Sequence, residues 1–189
     1  MILELHNTNS VDELFYPEDR GDITFESCAL EVFTDFKNTE PLVVSPDVDV
    51  DEARNLMIQE HVKLKFVVND SNHFLGVISS KNLSDQKILQ SVSLGSKRED
   101  LKVLDFMEAR DSLMAFSFQD FRKARIIDIV DALQKADSQH ALVVDLESHK
   151  IRGIVSSSDL ARKLKLPVNL DIESNFHGIF KKCKGLYGC

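Results

Sequence analysis

Two stretches of the sequence hold side chains suited to gripping a sugar phosphate: Gly153-Ile-Val-Ser-Ser-Ser-Asp-Leu160 and, seventy-seven residues earlier, Gly76-Val-Ile-Ser-Ser-Lys-Asn-Leu83. A glycine at the head of each lets a ligand or a neighbouring backbone come close. The hydroxyl of Ser156, or of Ser79 in the earlier copy, can accept from an amide or donate to a phosphate. Asp159 and Asn82 follow three residues later, in what reads as the first turn of a helix, where a polar side chain also caps exposed amides. An ionised carboxylate at Asp159 can take both hydroxyls of a ribose, and a helix N-terminus favours phosphate. The same residue types are ordinary turn and cap residues, so one octapeptide alone carries little weight. Its recurrence carries more.

The elements that must position these residues also recur. From 24 to 36 the apolar residues Phe25, Cys28, Ala29, Val32, Phe33 and Phe36 fall at helical spacing, which predicts a helix. Residues 41–44 predict a short strand and 47–61 an amphipathic helix with Val50, Ala53, Met57 and, at its end, His61 inward. Two strands follow at 65–69 and 74–79, and a helix at 80–90. The order then begins again. Leu101, Leu104 and Met107 mark a short helix, 113–118 a strand, and Ile126, Ile129, Val130 and Leu133 a long amphipathic helix. The first strands stand 72 residues apart and the apolar pairs Val67-Val68 and Val143-Val144 stand 76 apart, so copy two carries about four extra residues near 119–123. Insertions at junctions are what structural repeats tolerate.

These patterns predict an α/β (α+β) chain of two tandem β-α-β-β-α repeats at 24–90 and 91–166, packed sheet to sheet with pseudo-twofold symmetry. An acidic segment, 1–23, precedes them. One unit alone has too few strands to bury both faces of its sheet. Pro167 stops the helix that begins near Ser157. In the tail at 167–189, Phe176, Ile179, Phe180 and Cys183 predict a last amphipathic helix that docks on its own domain or on a dimer mate.

Bulk composition narrows the function. Of 189 residues, 43% are apolar and 29% charged, as in a soluble globular protein. Residues 1–40 hold ten acids and two bases and so account for the net charge of −8, while the rest is balanced. No basic footprint points to nucleic acid, and no apolar run reaches the length of a membrane span. Three cysteines without a CxxC fit a reducing compartment, which makes the cytoplasm the default location.

Taken together, the doubled element order, the apolar pairs before an acidic or amide turn (Val67-Val-Asn-Asp70, Val143-Val-Asp145) and the paired Gly-x-x-Ser-x-x-Asp/Asn-Leu signatures resemble tandem cystathionine β-synthase (CBS) domains, the Bateman module, over about residues 24–166. The resemblance implies a cleft between the repeats for an adenosine-containing ligand: AMP, ADP, ATP or S-adenosylmethionine. It implies that Ser156, with Ser157 and Gly153 beside it, approaches phosphate and that Asp159 holds the ribose. The adenine would lie near Ala115 and Phe116 and near His140 and Ala141. Copy one would supply a second, weaker site from Ser79, Asn82, Val43, Val44, Lys65 and Phe66. Charge-assisted bonds are about twice as strong as neutral ones, so Asp159 outranks Asn82 as a ribose acceptor. Arg152, Arg162 and Lys163 are near enough in sequence to meet phosphates, although surface bases on helices are usually just solvated.

No catalytic constellation accompanies the signatures. The six histidines are scattered, none beside a cysteine or acid at metal-ligand spacing, and the glycines form neither a dinucleotide nor a P-loop fingerprint. The expectation is therefore not an enzyme, with no resident cofactor or metal. It is a regulatory ligand sensor, acting on a dimer mate or a protein effector, with a homodimer implied by the family. The alternative is a structural or dimerisation module whose clefts are empty or vestigial.

Overall fold

The computed structural model describes residues 22–136, 138–166 and 179. The predicted tail helix otherwise lies outside the described residues, as does the acidic segment up to residue 21. Eight strands form two four-stranded sheets among these residues: β1 (Thr34–Asp35), β2 (Val43–Val44), β3 (Leu64–Val68), β4 (Phe74–Ser79), β5 (Glu108–Ala109), β6 (Ala115–Ser117), β7 (His140–Asp145) and β8 (Lys150–Ser156). One sheet has the order β2-β3-β4-β5 and the other β1-β8-β7-β6. In each, the first repeat strand pairs parallel to the second and the second pairs antiparallel to the third. This is the predicted doubled architecture.

The helices follow the sequence pattern where apolar periodicity was long. Helix α1 (Val50–Gln59) begins at Asp49, whose carboxylate accepts from the amides of Asp51 and Glu52, and it buries Val50, Ala53 and Met57. Its counterpart α5 (Ile126–Lys135) buries Ile126, Ile129, Val130 and Leu133. The four-residue insertion in copy two is a helical turn of its own, α4 (Phe118–Phe121), capped by the Ser117 hydroxyl and anchored by the fully buried Phe121. After copy one's signature, helix α2 (Asp85–Ser93) starts five residues later than predicted. Ser84 stands at its N-cap in extended conformation, and residues 80–83 are spent as a turn. In copy two, α6 (Ser157–Lys163) starts directly, with Ser156 as its cap.

The predicted helix at 24–36 does not form, although its apolar residues are buried as expected. The amide of Ala29 donates to the Ala124 carbonyl, and the amides of Ile126 and Ile127 donate to the carbonyls of Ser27 and Phe25. Those groups are bonded to another segment, so no α-helical ladder can use them. Only a short 3-10 turn, Ala29–Val32, remains before β1. The later segment behaves the same way: α3 (Val103–Phe106) is one turn long, Val50 donates to the Leu101 carbonyl, and Val103 donates to that of Val48.

These leading segments produce the main topological feature. Strand β1 precedes copy one but pairs with β8 of copy two, Asp35 opposite Gly153. Strand β5 leads into copy two but pairs with β4 of copy one, Ala109 opposite Gly76. Division at 24, 90 and 166 therefore assigns each of these strands to the repeat whose sheet it does not join. Each sheet buries one face under its helices. The opposite faces meet through Phe66, Val77 and Leu142, with Phe36, Phe74, Ile151 and Ile154 packed around them. Ile179 belongs to the core of the second half.

Candidate functional site

The two glycines of the signatures serve the fold. A Cβ on Gly153 would stand 2.1 Å from the Thr34 carbonyl oxygen and 2.5 Å from the Phe33 ring, and one on Gly76 would stand 2.1 Å from the Glu108 carbonyl oxygen. Of the two roles open to such a glycine, close approach of a neighbouring backbone is the one observed, in both copies.

The hydroxyl and acid of copy two are engaged with each other. The Ser156 hydroxyl donates to Asp159 Oδ2 at 2.7 Å and accepts from the Asp159 amide at 3.1 Å, while Arg162 donates to Asp159 Oδ1 at 2.6 Å. Ser157 is buried, its amide donating to the Gln139 carbonyl. In copy one the Ser79 hydroxyl donates to Asn82 Oδ1, and the Asn82 amide group reaches Glu108 Oε1 at 3.4 Å. Lys65 is buried and forms an ion pair with Glu60, and Val44 is buried in the core of the first half. Arg152 donates two hydrogen bonds to the Asp35 carboxylate, at 2.7 and 2.6 Å, and covers the Phe118 ring at 4.2 Å. It is a clasp between strands. Lys163 donates to the Glu31 carbonyl.

A cavity of about 530 Å³ opens where the halves meet. Copy two supplies Ala115 and Phe116 from β6, Ala132, Leu133 and Ala136 from α5 and its end, and His140 and Ala141 from β7. Copy one supplies Leu64, Val77, Ser79 and Lys81, and β5 supplies Glu108. Thus four of the residues assigned to the first site, Ala115, Phe116, His140 and Ala141, come together, but with Ser79 of the other copy. Ser156, Ser157, Asp159, Gly153, Asn82, Val44 and Lys65 are not in its wall. Asp159 is nevertheless near: His140 stands opposite Ser156 in the β7–β8 register, and the Asp159 charge acts on the His140 ring. Burial holds the His140 pKa below its ordinary value. The charges of Glu108 and Asp159 oppose that shift and Lys63 adds to it.

Sequence reasoning missed Lys81, Glu108 and the pairing of Ser79 with copy two's side of the site. Lys81 sits inside the signature and was visible there. Glu108 had no sequence signal, because its place depends on β5 crossing to the other half.

Comparison with known proteins agrees with this architecture. Residues 33–86 match the family model described as CBS domain. None of the curated proteins matches the sequence. An uncharacterised conserved protein of Pyrococcus horikoshii superposes with a TM-score of 0.56 at 20% identity, over 79% of this chain and 98% of its own. CBSX2 of Arabidopsis thaliana, solved in complex with AMP, superposes with a TM-score of 0.53 at 23% identity, over 72% of this chain and 94% of its own. The chain has the fold of a tandem CBS-domain pair. The CBS domain pair of protein MJ0100, in complex with 5′-methylthioadenosine and S-adenosyl-L-methionine, superposes with a TM-score of 0.51 at 15% identity, over 72% of this chain and 98% of its own. Among the described residues no helix is long and apolar enough to cross a membrane.

Proposed function

We propose that this CBS pair is a regulatory sensor that takes an adenosine-containing ligand in the cavity between its halves and passes the occupied state to a dimer mate or a protein effector. The observation that carries the reading is the lining of that cavity. Alanines at 115, 132, 136 and 141 with Leu133 and Phe116 give an apolar lining fit for a purine, while Ser79 and Lys81 of copy one and Glu108 of β5 add a hydroxyl and charged groups. The CBS pairs solved with AMP and with S-adenosylmethionine support the ligand class. Asp159, which is outside the cavity wall but whose charge acts on the lining residue His140, is the carboxylate we assign to the ribose. It reaches the sugar by exchanging the Ser156 or Arg162 contact for a ribose hydroxyl. A ligand that bridges both halves favours one arrangement of them, which is how binding becomes a signal.

A thermal-shift titration with AMP, ATP and S-adenosylmethionine tests this. A ligand at 100 times its dissociation constant adds about 2.7 kcal/mol to stability. Ala132→Phe, which fills the slot, abolishes the shift, and Asp159→Ala reduces it. A shift that survives Ala132→Phe places the ligand elsewhere. A second reading, a packing module without ligand, draws on copy one, where Lys65 is paired with Glu60 and Asn82 with Glu108. No shift with any of the three ligands favours that reading.

A further inference from the structure

We propose that the cavity selects among adenosine ligands by charge, preferring a tail that carries both an ammonium and a carboxylate over a chain of phosphates; this rests on the adenosine reading above. The lining holds one side chain of each sign, Lys81 and Glu108. The two are linked through Asn82, which follows Lys81 in the chain and whose side-chain amide donates to Glu108 Oε1 at 3.4 Å. Among the described residues the Glu108 carboxylate accepts from that neutral amide. Neither side chain has an ion-pair partner among the described residues and both are exposed, so both remain open to a ligand.

The other titratable groups nearby leave the balance unchanged. His140 is kept neutral by burial, and the two charges acting on it from outside the lining, Lys63 and Asp159, are opposite. The remaining polar lining (Ser79, Ser112, Ser138 and Gln139) is uncharged. A triphosphate tail brings about four negative charges to a wall of zero net charge that includes a carboxylate. The Glu108 carboxylate repels each added phosphate and attracts an ammonium. A zwitterionic tail places its ammonium on Glu108 and its carboxylate on Lys81, so both charged side chains gain a partner. The volume of about 530 Å³ is ample for a nucleoside with such a tail.

Isothermal titration of the full-length chain with adenosine, AMP, ATP, S-adenosylhomocysteine and S-adenosylmethionine at low salt tests the proposal. The expected result is that both aminoacyl ligands bind at least tenfold more tightly than ATP. Glu108→Gln, which keeps the oxygen that accepts from Asn82, erases most of that margin, because it removes the group that repels phosphate and attracts ammonium; Lys81→Gln, at an exposed position, weakens the aminoacyl ligands and ATP alike relative to adenosine. Adenosine binding persists in both variants and reports an intact slot. ATP binding as tightly as S-adenosylhomocysteine, or every ligand binding no better than adenosine, overturns the charge selection and leaves the adenosine reading standing. Absence of binding by all five overturns both.

Discussion

At the residue scale, the clearest result is that one signature carries two jobs at different positions. Gly76 and Gly153 admit a strand from the opposite half, and a methyl group there meets backbone, which cannot move aside as a flexible side chain can. Gly153→Ala is expected to destabilise the protein by about 1–3 kcal/mol, the usual cost of overpacking a close contact, and Gly76→Ala similarly. Chemical denaturation reads this directly, and a loss below 0.5 kcal/mol at both positions contradicts the close approach. His140 gives a second residue-scale expectation. Its pKa is lower in the folded chain than in the unfolded one, so below an ordinary histidine value near 6.5 the unfolded state binds the proton first. Stability is then full above that pH and declines as pH falls toward the folded-state pKa. His140→Asn flattens this slope. A stability that rises on acidification from pH 7 to 6, and loses that rise in the variant, would reverse the assigned direction.

At the element scale, the four-residue insertion shows what was legible. The jump in offset from 72 to 76 located it near 119–123, and α4 lies at Phe118–Phe121. Its anchor, Phe121, packs on Phe33 and Phe116 with ring centroids 5.2 and 5.9 Å apart. Phe121→Ala should cost about 3–5 kcal/mol, as for other buried aromatics, and should also loosen Phe116 in the cavity wall, so ligand affinity falls together with stability. Long elements were legible because α1 and α5 repeat their apolar residues over nearly three turns. The segment at 24–36 was not. Phe25, Ala29, Val32 and Phe33 satisfy a helical spacing, yet their burial comes from a turn whose backbone bonds go to residues 124–127. Strands β1 and β5 have two residues each, too few for any alternation to show. The half of the site that depends on them, Glu108 above all, was hidden for the same reason. Ser79 was visible, but which half it would serve was not, since that is decided by how the two sheets face each other.

At the scale of the whole molecule, the crossing strands make the halves unequal in their dependence on the chain's start. The first half, from β2 to β5, is continuous in sequence, and its edge strand follows it directly. The second is finished by residues that precede the first: Phe25, Ala29, Val32 and Phe33 lie in its core, β1 closes the β8 edge, and Asp35 clasps Arg152. Burial of a large apolar side chain stabilises by about 1.5–3 kcal/mol, so Phe25, Val32 and Phe33 together contribute about 5–9 kcal/mol, comparable to the total stability of many domains. A chain begun at Glu40 should therefore keep the first half folded and lose the second. Hydrogen exchange measures this amide by amide: β3 and β4 are expected to stay protected while β7 and β8 exchange at rates near those of an unfolded chain. Equal protection of the two halves in the shortened chain would mean that β1 and its flanking aromatics lie on a second half that is already stable without them.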